Sequence, residues 1–167
     1  MQTRRLWLLP WTVADLDDAI ALWGSREVMA LLGGPMSRAQ IEARLANEID
    51  SQAQHGLQYW RATADGKFVG CCGLKLTDVD GRPELETGFH FLPSTWGRGY
   101  ASEAAAAVVE HAKVVRAATQ LFAGHHPQNH ASRKVLEKLG FSRIGEHFYP
   151  PTGLMHPWYR LRHSVPE

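Results

Sequence analysis

The chain has 167 residues, 44% hydrophobic and 21% charged, with a formal net charge of +1. That is ordinary globular composition and enough chain for one domain, residues 1–167, with its own core; a charge this near zero gives no electrostatic case for nucleic acid or an anionic membrane. The apolar stretch at residues 6–9 is too short for a signal peptide, and no run approaches the roughly 18 apolar residues of a membrane span, so a cytoplasmic setting is expected.

Residues 3–10 read as a first strand ended by Pro10. Residues 12–15 supply helix-start chemistry, after which Leu16, Ala19, Ile20 and Trp23 recur at helical spacing up to Gly24. A short helix over 26–32 stops at Gly33-Gly34-Pro35. Ser37 and Gln40 form a capping-box pattern ahead of a helix with Ile41, Leu45 and Ile49 on one face, closed by Gly56. Residues 57–64 and 68–76 are strands joined by Asp65-Gly66, the strongest short hairpin signal in the chain. Cys71 and Cys72 are adjacent in the second of them, so they face opposite ways, and neither a disulfide framework nor a zinc site follows.

A turn over 78–83 leads into the most informative stretch. Residues 85–92 carry strand-like β-branched and aromatic density. After Pro93-Ser94-Thr95, the segment Gly97-Arg98-Gly99 opens a run with Ala101, Ala104, Ala105, Val108, Val109, Ala112 and Val115 on one helical face. Glycines let the backbone approach an anion, and the first amides of the helix are unpaired donors at its positive end. A dinucleotide fingerprint would need glycine where Ser102 stands, and a P-loop needs Gly-Lys-Ser/Thr, which is missing from the sequence. A pyrophosphate held by backbone amides fits the pattern. Beyond it, 119–124 is a strand, 125–129 a loop, 131–139 a helix stopped by Gly140, and 141–148 with 155–162 a final antiparallel pair split by residues 150–153. Antiparallel strands ahead of a strand–helix–strand–helix unit make an α+β domain with a mixed, mostly antiparallel sheet flanked by helices.

Trp96-Gly97-Arg98-Gly99-Tyr100-Ala101 resembles the R/Q-x-x-G-x-G/A acyl-CoA loop of the GNAT N-acetyltransferases, and the surrounding 86–105 is similar to the Rim-type branch that acetylates ribosomal-protein N-termini. Trp96 departs from the usual Arg or Gln. A second stretch, Asn129 to Phe141, resembles the family's N-x-x-A/S-x-x-L/V…G-F segment. The resemblance covers nearly the whole chain. It implies the GNAT fold, acetyl-CoA as cosubstrate, no metal, and an amine acceptor, either a protein N-terminus or a small molecule; a homodimer is compatible with it. It assigns Phe91, Leu92, Trp96, Gly97, Arg98, Gly99, Tyr100, Ala101, Ser102, Asn129 and Ser132 to the cofactor. The family often has a thiolate-protonating tyrosine at the position of Leu136; with leucine there, the role passes to Ser132, which the Rim-type branch shares. Capping of the following helix is an equal account of Asn129.

Acetyl transfer requires the amine to lose a proton, the carbonyl to be polarised and the thiolate to leave. A backbone N–H near Phe91 or Leu92, at the end of the strand, answers the second need. Glu86 is the candidate base, with Glu84 two residues back on the same face as alternative; His90 shares that face, as a relay or simply a polar cleft residue. An α-amine with pKa near 8 needs only a weak base, whereas lysine near 10.4 needs about 4.6 kcal/mol of help to reach its neutral form at pH 7, which favours a less basic amine. Trp60 and the loop at 150–153 are acceptor contacts or surface packing. Cys71 and Cys72 read as core, not as acyl carriers. His125, His126 and His130 cluster without completing a familiar metal spacing, and no G-x-S-x-G elbow is present. The rival from another class is a non-catalytic acyl-CoA sensor, supported by Trp96 and the missing tyrosine.

Overall fold

The computed structural model describes residues 1–114 and 116–162; Val115, the last position of the expected helical face, lies outside them. A seven-stranded sheet carries the fold. Its elements are β1 (Trp7–Leu9), α1 (Leu16–Trp23), α2 (Arg26–Met29), α3 (Arg38–His55), β2 (Tyr59–Ala64), β3 (Lys67–Val79), β4 (Arg82–Phe91), α4 (Tyr100–Val114), β5 (Gln120–Gly124), α5 (His130–Lys138), β6 (Ser142–Tyr149) and β7 (Leu154–Arg162). The strand order is β1-β2-β3-β4-β5-β7-β6. Every neighbouring pair is antiparallel except β4 with β5.

Local chemistry accounts for most boundaries. Asp65 and Gly66 both take positive φ (49° and 73°), the geometry that lets a two-residue turn follow the twist of β2 and β3. The Ser37–Gln40 capping box closes in both directions, and Gly56 ends α3 in the left-handed region. Several boundaries differ from expectation: the turn expected over 78–83 tightens to residues 80–81, because β3 runs on to Val79 and β4 already starts at Arg82. The first strand is shortened to Trp7–Leu9 because Thr3 folds back, its N–H donating to the Leu6 carbonyl at 2.8 Å. The helix expected over 26–32 stops at Met29, where the chain turns so that the Gly34 N–H reaches the Met29 carbonyl.

Strand alternation divides the core into two layers. Cys72, Leu74 and Phe91 meet the small face of α4 (Ala104, Ala105, Val108, Ala112) together with Leu136 and Phe141. On the opposite side Cys71 and Tyr59 pack with Trp11, Trp23, Met29, Ile41 and Leu45 from the N-terminal helical layer. Where β2 and β3 are tightest, a methyl on Gly73 would run into the Gln58 carbonyl. Gly73→Ala is therefore expected to lower stability by about 1–3 kcal/mol, read as a reduced urea midpoint at unchanged m-value.

Candidate active site

Strands β4 and β5 share a single register position, Glu86 opposite Phe122. Past it both strands line one cavity of about 1070 Å³, β4 through residues 87–91 and the β5 end through 123–126; the two strands have parted. Backbone directions follow from the ladder on the other side. Leu92 N–H donates to the Val69 carbonyl at 2.9 Å, and Gly70 pairs with Phe91. Because N–H groups alternate sides along a strand, the amides of Phe89 and Phe91 point to the β5 side, beyond the one position at which the two strands pair. The Phe91 carbonyl is taken by the Trp96 indole N–H at 2.8 Å. Of the two amides open at sequence level, Leu92's is committed to β3 and its residue does not line the cavity, so Leu92 is corrected to a structural role.

The turn between β4 and α4 delivers a second set of donors. Gly97 and Gly99 have φ of 76° and 77°, a region where a Cβ costs roughly 1–2 kcal/mol. The first helical bond runs from Glu103 N–H to the Gly99 carbonyl, which leaves the amides of Tyr100, Ala101 and Ser102 without backbone partners among the described residues. Gly97, Gly99, Tyr100, Ala101, Ser102 and Trp96 all line the cavity; the Arg98 side chain does not, and its carbonyl accepts from Arg5 Nη1 at 2.9 Å. Glu103 holds this turn to the N-terminal arm. It accepts from Thr3 Oγ1 (2.6 Å), Arg5 N–H (2.8 Å) and Arg5 Nε (2.7 Å), while the Arg5 guanidinium lies 4.8 Å from the Tyr100 ring centroid.

The face of β4 carrying Glu86, Gly88 and His90 looks toward α3. Glu86 lines the cavity and pairs with Lys75 Nζ at 3.2 Å. Glu84 lies outside the cavity and accepts from Gln120 Nε2 at 2.7 Å, which removes it as the alternative base. His90 Nδ1 accepts from the Trp23 indole N–H at 3.3 Å. Indole only donates, so the imidazole proton sits on Nε2. Burial, with Arg44 and Lys75 adding repulsion, pulls its pKa down to about 3; the ring stays neutral at physiological pH and is a donor, not a base or charged relay. Cys71 is buried and its thiol pushed up to about 12, mainly by desolvation, which leaves it unreactive.

Three contributors escaped sequence reasoning: Tyr59 on β2, and Arg44 and Glu48 on α3, all lining the cavity. Trp60, singled out instead of Tyr59, faces the other layer and meets His111 edge-on, ring centroids 5.1 Å apart. Strand alternation was the available signal, but which face met the cleft was not visible. Loops roof the cavity: Tyr149 and Pro151 on one side, residues 31–36 on the other. On α5, Asn129 Oδ1 accepts from the Ser132 N–H at 3.0 Å, so Asn129 does cap this helix; both residues also line the cavity. Leu136 is buried. His125 and His126 are tied down locally, His125 Nδ1 to the His126 carbonyl and His126 Nδ1 to the Gln128 N–H, and among the described residues no three His, Cys, Asp or Glu side chains form a group able to hold a metal ion.

A parted parallel pair, amides directed into the split and a glycine-built helix N-terminus thus lie along one cavity. Residues 5–142 match the Acetyltransferase (GNAT) domain, and the chain belongs to that family of acetyl-CoA-dependent acyltransferases. It is similar to the N-acetyltransferase p20 of Bacillus licheniformis, 25% identical over 150 residues that span 87% of this chain and 83% of that protein. An acetyltransferase structure from Agrobacterium tumefaciens superposes with a TM-score of 0.83 at 22% identity, covering 98% and 94% of the two chains. The ribosomal L7/L12 α-N-protein acetyltransferase RimL, solved with coenzyme A, superposes with a TM-score of 0.81 over 96% and 95% of the chains at 12% identity, a likeness of fold. No helix among the described residues is long and apolar enough to cross a membrane.

The Glu103 clamp has a pH signature. Burial opposes its ionisation, but the bonds from Thr3 and Arg5 outweigh that and hold its carboxyl below the ordinary value of 4.5. A depressed folded-state pKa contributes stability above the unfolded value, lost as pH falls through the folded one. Glu103→Gln is thus expected to be less stable than wild type at pH 7, with the gap between their urea midpoints closing as pH is lowered below 4.5.

Proposed function

We propose that this enzyme transfers an acetyl group from acetyl-CoA to a primary amine by direct attack in a ternary complex. The reading rests on one observation above all: the end of β4 past its last pairing with β5, with the Phe91 amide directed away from β3, and the unpaired amides at 100–102 line one cavity, a set of donors suited to hold a thioester carbonyl and a diphosphate at once. The Phe91 N–H stabilises negative charge developing on the carbonyl oxygen. Glu86 takes the amine proton, directly or through water, as the amine lone pair forms the N–C bond. The C–S bond breaks with its electron pair leaving on sulfur, and the Ser132 hydroxyl, which has no protein acceptor among the described residues, supplies a proton to the thiolate and is reprotonated from solvent. Asn129 orients the first turn of α5 for that task. Direct attack is supported over an acyl-cysteine route because Cys71 and Cys72 are buried and neither lines the cavity.

The acceptor is a protein N-terminus or a small-molecule amine. Motif likeness to the Rim-type branch supports the Ser132 assignment; the pairing of Glu86 with half-exposed Lys75 suits a weak base acting on an amine of modest pKa.

In a thiol-release assay with acetyl-CoA, Glu86→Gln is expected to lower kcat/KM for the acceptor by on the order of 10²-fold or more. Ser132→Ala should reduce kcat by a smaller factor at unchanged KM for acetyl-CoA. If both variants turn over every acceptor at the wild-type rate, these two assignments fail. A protein that binds CoA yet consumes no acetyl-CoA with any amine is a sensor instead.

A further inference from the structure

Beyond the transferred group, the cavity wall describes the acceptor. Tyr59 is only 7% exposed, lines the cavity, and has its hydroxyl lying against Gly88, where a methyl would collide with it. That hydroxyl has no hydrogen-bond partner among the described residues. A buried phenol usually finds one. Arg44 is in the same position. Its side chain is 22% exposed, its guanidinium is stacked 4.3 Å from the Trp23 ring centroid and 5.9 Å from that of Tyr59, and it makes no hydrogen bond among the described residues. The nearest carboxylate oxygen, Glu48 Oε1, is 3.8 Å from Arg44 Nε, while Glu48 Oε2 accepts the Tyr59 backbone N–H at 2.7 Å. Stacking fixes the planar fork, and the ion pair with Glu48 engages only its Nε edge, so the two Nη groups have no hydrogen-bond partner among the described residues. His90 adds an Nε2–H, since its Nδ1 is taken by Trp23.

A carboxylate is the group that answers such a wall: it accepts at both oxygens, bidentate on a guanidinium. Glu48, the carboxylate beside this wall, is engaged by Arg44 and the Tyr59 N–H, so a polyamine or aminosugar would meet the Arg44, Tyr59 and His90 side with further donors and positive charge. Glu86 stands two residues from Gly88 on the same face of β4, about 7 Å along the strand. One small molecule can thus reach both ends.

We propose that the acceptor is a small zwitterion, an α-amino acid or close analogue, whose carboxylate docks on the Arg44 guanidinium and the Tyr59 hydroxyl while its amine faces Glu86. This rests on the acetyltransferase reading above and narrows its acceptor class.

The test is thiol release from acetyl-CoA with matched sets: L-amino acids, their amides, their decarboxylated amines, and short peptides with free N-termini. At least one free acid should exceed its own amide and decarboxylated amine in kcat/KM by on the order of tenfold or more, the effect of a charge-assisted pair. Arg44→Met, which keeps the packing on Trp23, should erase that preference through KM for the acid while KM for acetyl-CoA holds; Arg44→Lys should retain part of it. Tyr59→Phe removes one oxygen and should narrow the preference even if Arg44→Met fails to fold. Amides, amines or peptides turned over as well as the acids, or a preference that survives in folded Arg44→Met, overturns the proposal and leaves acetyl transfer standing. Failure of every acceptor class overturns both.

Discussion

The parting of β4 from β5 is the constraint on which the rest of the molecule depends. In a continuous parallel pair every amide facing the partner strand would be consumed by the ladder. Here the pairing ends after Glu86 and Phe122, and the amides of Phe89 and Phe91 are left facing a cavity. A parallel pair also requires a crossover, and α4 provides it. Because α4 starts where β4 ends, its own unpaired amides lie along the same cavity as those of the strand. Two backbone accidents, a split sheet and a helix terminus, are thereby coupled into one binding surface.

The charged groups around that surface are arranged to stay out of its chemistry. Glu103, one turn into α4, would oppose an anion were it free; Thr3 and Arg5 engage it from the N-terminal arm. That arm also ties the Arg98 carbonyl through Arg5, so the segment ahead of β1 supports the turn at long range. Desolvation keeps Cys71 a thiol and His90 neutral. What lines the cavity beside them is the Glu86 carboxylate paired with Lys75, the Ser132 hydroxyl and backbone dipoles, the set on which the proposed direct transfer relies.

The cavity is asymmetric. Its end at α4 is built from backbone, which is blind to side-chain identity and suits a cosubstrate common to the whole family. The opposite end is built from side chains on α3, β2 and β4, together with loops at 31–36 and 149–151. Substitution there alters what is recognised without disturbing the fold, which is how a shared scaffold serves different acceptors.

Short-range physics was readable from residue order alone. The Asp65-Gly66 turn, the Ser37–Gln40 cap, the left-handed glycines at 97 and 99 and the cap at Asn129 each involve residues within a few positions of one another, and each implies its conformation through local sterics or a local hydrogen bond. The order of strands and helices, and the mixed sheet, followed from those signals. Long-range register was not readable. That Leu92 spends its N–H on Val69 whereas Phe91 keeps its own depends on the alignment of β4 with β3. That Tyr59 rather than Trp60 meets the cleft depends on which layer covers each face of β2. Arg44, Tyr59 and Gly88 are far apart in the chain and carry no common motif; they meet only because α3 packs across the sheet. Residue order alone determined the elements and the glycine turn ahead of α4, since those are local minima of the backbone. Tertiary packing decided which amides stay free and which side chains face the acceptor, since both are set by partners distant in the chain.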